Sequence, residues 1–247
     1  MQTFFDKIYV ISLISNNINQ KFIKYQFSEL GLDFEFIYGF DFYNFKNINF
    51  NKLDSRTFSC SLAHYQAVMQ AYNLNYNNVL ILEDDICFIK DKNLIYDVLN
   101  NIPYNCDFIS FDPRFDSQFD EINFLERCIS DDSYYIEKNK DIRIYGTSMY
   151  ALLNKDIMKL YLDSQQKNFK ESDHIDNIFD NSIVNINLCS TCLFIDQNNL
   201  ENKFINKSDN FESCYNNVYL SYPELNNKLH KEDFFIPEKI IKTSRRI

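Results

Sequence analysis

The sequence predicts an α/β fold, a sandwich of helices around a mostly parallel central sheet. Two patterns carry that reading. Ile8–Leu13, Val79–Leu82 and Phe108–Phe111 are nearly continuous apolar runs, the form taken by strands buried on both faces. Between them lie segments with apolar residues at helical spacing, and strands that alternate with helices build parallel sheets through crossover connections. The 247 residues suffice for one large core. No internal repeat or linker interrupts them, so the simplest partition is one domain over 1–200 with a C-terminal extension, 201–247, packed on it.

The elements follow in order. After the first strand, Asn16–Asn19 offers capping side chains. Phe22, Ile23, Phe27 and Leu30 then recur at helical spacing, and Gly31 stands where a left-handed C-cap is needed. Phe34–Phe40 alternates toward a second strand ending near Asp41, and 43–55 reads as loop. A long helix is expected from Thr57 to Asn73: Phe58, Leu62, Tyr65, Met69 and Tyr72 form a stripe of large residues. The opposite side carries Cys60, His64, Ala67 and Ala71, small enough, the histidine apart, for close approach to another backbone. Val79–Leu82 is a strand ending in Glu83-Asp84-Asp85, Leu94–Leu99 a short helix, and Phe108–Phe111 a strand. The stretch 112–141 is charged, irregular and aromatic. Ile144–Leu153 returns to strand character around Gly146, and Asn154 caps a helix through Leu162. Ser172 caps another from Asp173 to about Asp180, and Ile183–Ile186 closes as a strand.

Composition excludes several functions. Only three glycines occur, Gly31, Gly39 and Gly146, and none is near another, so no glycine-rich phosphate cradle can be written. A nucleotide would have to be held by a metal ion or by side chains. The net charge of −10 argues against a general nucleic-acid binder. Residues 239–247 alternate basic and apolar side chains, a pattern suited to an anionic membrane surface, with a solvated chain end as the plainer alternative. The seven cysteines (Cys60, Cys87, Cys106, Cys128, Cys189, Cys192 and Cys214) sit mostly in apolar runs, as buried free thiols of a reducing compartment do. Cys189 and Cys192 form a CxxC with no second pair. With no signal-peptide pattern and no apolar stretch of about 20 residues, a cytoplasmic protein is expected, in peripheral contact with the membrane through its basic tail.

Glu83-Asp84-Asp85 is the sharpest chemical signal, because open α/β sheets bind ligands at the carboxyl ends of their strands. Alternation points Glu83 and Asp85 to one side and Asp84 to the other. Two hard oxygen donors on one side suit Mn²⁺ or Mg²⁺, which can neutralise a diphosphate; a solvated acidic turn is the structural alternative. His64, mid-helix, reads as a structural histidine or a ligand contact. Asp173, His174 and Asp176 cluster at a predicted helix start, where the dipole alone favours acidic groups and where Asp173 could equally serve as a general base.

These motifs, in this order, resemble glycosyltransferase family 25, the lipooligosaccharide-type β-galactosyltransferases related to collagen-modifying domains. Tyr9-Val-Ile-Ser-Leu13 and Phe34-Glu-Phe-Ile-Tyr-Gly-Phe-Asp41 match its opening YVINL and FxxFxAxDG patterns. Ser59-Cys-Ser-Leu-Ala-His64 resembles its GCxxSH element, Leu82-Glu-Asp-Asp85 its LEDD motif, and Gly146-Thr-Ser-Met-Tyr150 its GTxxY element. Asp173 aligns with a later aspartate, and Leu188-Cys189 with Gln197 corresponds to an LC…Q region. Three positions depart: Ser59 replaces a glycine, Ala63 a serine, and Gln20-Lys21 stand near where the first helix usually has an arginine.

The resemblance covers roughly residues 5–200 and implies a GT-A-like, Rossmann-type sandwich. It implies inverting transfer of a sugar, galactose above all, from a UDP-sugar to an oligosaccharide or lipid-linked glycan. Under it, Glu83 and Asp85 hold Mn²⁺ or Mg²⁺, and Ile11, Ser12, Leu13, Asp41, His64, Asp84, Gly146 and Thr147 bind substrate. Asp173 is the catalytic base, with Asp112 in reserve. The competing readings are a metal-dependent nucleotidyltransferase or nucleotide-sugar hydrolase, and a non-catalytic sugar-binding protein that retains the fold.

Overall fold

The computed structural model describes residues 4–41, 54–115, 123–124, 127, 133–139, 143–167, 169, 178–179, 183–190, 193–196 and 233–235. Ser172, Asp173, His174, Asp176, Gln197, Cys128, Cys192, Cys214 and the 239–247 tail, with nearly all of the 43–55 loop, lie outside the described residues.

The first strand, β1 (Lys7–Leu13), is buried along its middle on both faces, as its apolar run requires. Helix α1 (Asn17–Leu30) follows and stops at Gly31, whose φ of 69° and ψ of 34° form the left-handed cap that returns its N–H to Phe27 and Ser28. Strand β2 (Glu35–Gly39) leads to α2 (Ser55–Asn73), capped by Asp54, which accepts from the N–H groups of Arg56 and Thr57. Next come β3 (Val79–Glu83), β4 (Ile86–Phe88), α3 (Lys92–Asn100), β5 (Phe108–Ser110), β6 (Arg114–Phe115), β7 (Tyr135–Glu137), β8 (Ile144–Tyr145) and β9 (Met149–Leu152). Helix α4 (Lys155–Lys167), β10 (Ile186–Cys189) and β11 (Phe194–Asp196) complete the described elements.

Seven strands form one sheet in the order β2-β1-β3-β9-β5-β10-β7. All run the same way except β9 and β7, which pair antiparallel with their neighbours. Two small antiparallel ribbons, β11-β4 and β6-β8, flank it. Helices α2 and α4 lie on one face, joined where the Gln166 side chain donates to Tyr65 Oη at 3.1 Å. On the other face α1 and α3 meet where Tyr96 Oη donates to the Leu30 carbonyl at 3.1 Å. The α/β class and mostly parallel sheet read from the sequence are therefore present.

The helix α2 seats its small face on the sheet, the close approach that its small residues suggest; of the large stripe only Phe58 is buried. Cys60, Ala63, His64, Ala67 and Ala71 are buried, whereas Met69 is exposed and Leu62, Tyr65 and Tyr72 are half-buried. Close approach is the reason. A Cβ built on Gly39 would lie 3.1 Å from the Ala63 Cβ, so β2 and α2 touch where both side chains are minimal.

Other boundaries differ. The single strand read over Ile144–Leu153 is two strands in different sheets, because Gly146 takes φ 109°, which breaks extended backbone and is open to few side chains. The closing strand begins at Ile186, where the reading ended it, and α4 runs to Lys167 rather than Leu162. Strands β4, β6, β7 and β11 have two or three residues each, too short to show a period. From the region read as an extension, Phe234 is fully buried and bridges Ile89, and the Phe235 N–H donates to the Phe88 carbonyl at 2.9 Å. The described cysteines Cys60, Cys87, Cys106 and Cys189 are buried and outside any disulfide.

Gly39→Ala is expected to cost about 1–3 kcal/mol of stability by crowding Ala63. A double-mutant cycle with Ala63→Gly, measured by urea unfolding, should return a favourable coupling; additive costs would show that the two do not touch.

Candidate active site

The parallel strands place the motif residues at one edge. Leu13 lies beside Gly39 and Ile11 beside Glu83, so the carboxyl ends of β2, β1 and β3 are level. Strand β9 enters from that edge: Ser148 accepts from the Glu83 N–H at 2.9 Å, and Gly146 and Thr147 lie just before it. Strand β5 ends there too, with Phe111 donating to the Met149 carbonyl and Asp112 next in the chain. From β1 the chain moves to β2 on one side and then to β3 on the other. That reversal opens a crevice beyond the carboxyl ends of β1 and β3, the usual ligand position in an open α/β sheet.

The acidic triplet stands at the crevice and is fixed from both faces of the sheet. Asp84 has no exposed surface. Its Oδ2 accepts from Ser12 Oγ at 2.5 Å and Asn16 Nδ2 at 3.0 Å, and its Oδ1 from Asn19 Nδ2 at 3.3 Å. Gln20 extends this network, donating to Ser12 Oγ and to the Leu13 carbonyl at 2.7 Å. Asn16 occupies the N-cap position of α1 without capping it, its amide being turned to Asp84. Burial pushes the Asp84 carboxyl up to about 6, against the pull of those three donors toward the ionised form.

Glu83, one residue earlier, faces α2. Its Oε1 lies 3.3 Å from His64 Nε2, and His64 Nδ1 lies 3.1 Å from Tyr150 Oη. Cys60, one turn before His64 on the same helix face, completes a cluster with ligand atoms of Cys60, His64 and Glu83 within 4.8 Å of one another. All four side chains are buried, and desolvation holds the Tyr150 phenol well above its ordinary pKa, so it stays protonated.

The alternation of Glu83 and Asp84 is as read from the strand. Asp84 and Asp85, however, both lie beyond the end of β3, in the turn before β4, so strand alternation does not govern the direction of Asp85. Among the other candidates, Ile11 and His64 have no exposed surface, while Leu13 and Asp41 are half-buried at the strand ends. Ser12 directs its hydroxyl to Asp84. Gly146 and Thr147 are buried at the entry to β9, and Asp112 is buried after β5.

Asn16, Asn19, Gln20, Cys60 and Tyr150 escaped the reading as site residues. The i, i+4 spacing of Cys60 and His64 was the available signal for one pair. For the α1 amides it was their place in the turn leaving β1, at the same edge as the carboxylates.

The family model for glycosyltransferase family 25 (LPS biosynthesis protein) matches residues 5–176. Among solved structures, the chain is similar to a glycosyltransferase involved in the glycosylation of the major capsid of PBCV-1, with 13% sequence identity and a TM-score of 0.38. That similarity covers 65% of this chain, which spans 66% of the length of the other. No curated protein matches the sequence.

The Asp84 carboxyl binds its proton more tightly in the folded chain, about 6 against 3.8, so its contribution to stability is present below pH 4 and lost as pH rises through 6. Two units correspond to about 3 kcal/mol. Urea unfolding of metal-free protein from pH 4 to 7 should show this fall for the wild type and a shallower one for Asp84→Asn. Parallel curves would remove Asp84 as the source.

Proposed function

The chain belongs to glycosyltransferase family 25, and from that membership we propose that it transfers a sugar from a nucleotide-sugar donor to a glycan hydroxyl. The donor is a UDP-sugar, galactose first among them, and the acceptor an oligosaccharide or lipid-linked glycan such as lipooligosaccharide. Transfer proceeds with inversion on a GT-A-like sheet. The observation that carries this reading is the convergence of four matched segments, around Ser12, His64, Glu83 and Tyr150, at the carboxyl edge where β1 and β3 part.

A divalent cation fits the donor set. Asp84 is taken up by Ser12, Asn16 and Asn19, which leaves the carboxylates of Glu83 and Asp85 as the oxygen donors that would hold Mn²⁺ or Mg²⁺. When bound, the cation supplies positive charge to the departing diphosphate, the role that clustered glycine N–H groups cannot fill here. The chain's own residues do the rest. Asp84 ties the end of β3 to β1 and α1. Leu13, Asp41, Gly146 and Thr147 border the crevice and shape the donor pocket, with Ile11 buried beneath them. His64, itself buried, acts by holding Glu83. The acceptor hydroxyl must lose a proton as it attacks; Asp173 takes it, with Asp112 the reserve.

Among the described residues no helix is long and apolar enough to cross a membrane. A cytoplasmic location with peripheral membrane contact through residues 239–247 is part of the same proposal.

With Mn²⁺, UDP-galactose is expected to give slow UDP release that EDTA abolishes and Asp85→Ala removes. If no member of a UDP-sugar panel turns over and UDP shows no metal-dependent binding, the enzymatic reading falls.

For Asp173→Asn, calorimetry should show retained UDP binding while acceptor transfer drops about 10²–10⁴-fold. Unchanged transfer would pass the base role to Asp112.

A further inference from the structure

Cys60, His64 and Glu83 form a donor set of a different kind from the oxygen pair. Sulfur, imidazole nitrogen and one carboxylate together suit a borderline cation such as Zn²⁺ and are a poor match for Mg²⁺. We propose that these three side chains are a binding site for Zn²⁺ or a similarly thiophilic divalent cation.

The geometry is close to what such an ion needs. Two ligands on a tetrahedral centre with bonds of about 2.05 Å lie about 3.3 Å apart. His64 Nε2 and Glu83 Oε1 are 3.3 Å apart. Cys60 Sγ lies within 4.8 Å of both, against about 3.5 Å between a thiolate and a nitrogen ligand on one tetrahedral centre. The outer nitrogen is already provided for: His64 Nδ1 is 3.1 Å from Tyr150 Oη, the second contact that orients metal-bound imidazoles. Tyr150 stays protonated, and its hydroxyl can donate to Nδ1 in the free protein or accept from it once Nε2 gives its lone pair to the ion.

Binding replaces the thiol proton of Cys60 with the cation and releases that proton to solvent. Three protein ligands leave a fourth position open. The ligands come from α2 and β3, two rigid elements. Glu83 is shared with the oxygen pair, so the two sites compete for it. Binding at this site does not depend on whether the chain transfers sugar.

Titrating Co²⁺, a spectroscopic substitute for Zn²⁺, into the reduced full chain should give a thiolate-to-metal charge-transfer band that Zn²⁺ displaces. The band should be lost in Cys60→Ser and kept in Cys189→Ser. No band, or one that survives Cys60→Ser, overturns the site; a band lost in Cys189→Ser instead assigns the metal to the CxxC pair and overturns it equally. In the wild type, Zn²⁺ should also slow alkylation of Cys60 in mild urea at least several-fold, read by peptide mass spectrometry. That second measurement stands even where Cys60→Ser fails to fold, and unprotected Cys60 would end the proposal.

Discussion

The end of β3 carries three adjacent acidic residues almost wholly out of water, and the rest of the edge is arranged to make that tolerable. An isolated buried carboxylate is costly, and each one must be met by donors or a cation. The chain solves the problem separately on the two faces. Asp84 is met from β1 and α1 by a hydroxyl and two amides, all neutral. Glu83 is met from α2 by an imidazole whose other nitrogen reaches β9. Two consecutive residues therefore bind four elements of the sheet and its helices to one point.

That arrangement fixes where flexibility is allowed. The positions of Ser12 and Tyr150 are set by strand pairing, those of Asn16, Asn19 and His64 by helices packed on opposite faces. Burial raises the Asp84 pKa against the pull of its donors, which are neutral and bring no positive charge.

The strands and long helices were legible because burial on both faces writes an unbroken apolar run, as in Ile8–Leu13, and because Gly31 marks a helix end. The orientation of α2 was legible too, in its face of small residues. That face lets the helix come close to β2, where Ala63 meets Gly39. Strands of two or three residues, β4 and β6 among them, leave no period to read. At the site, the acidic triplet stood out by composition. Its partners did not, since Asn16 and Asn19 look like ordinary helix-start residues and Cys60 like an ordinary core thiol. Their roles arise from the pairing of β1 with β3, which brings positions 12 and 84 together across 72 residues of chain.

The ribbon beyond Asp85 ties the site to synthesis order. Strand β4 begins one residue after the acidic triplet and is paired by β11, while Phe234 and Phe235 bond to Ile89 and Phe88. On the ribosome, Asp85 emerges roughly 110 residues before β11 and roughly 150 before Phe234, a delay on the order of 5–30 s. Through that interval the turn holding Asp85 has its strand-side neighbour β3 but lacks the far side of β4. The acidic edge is thus made well before the segments that pair with the strand leaving it.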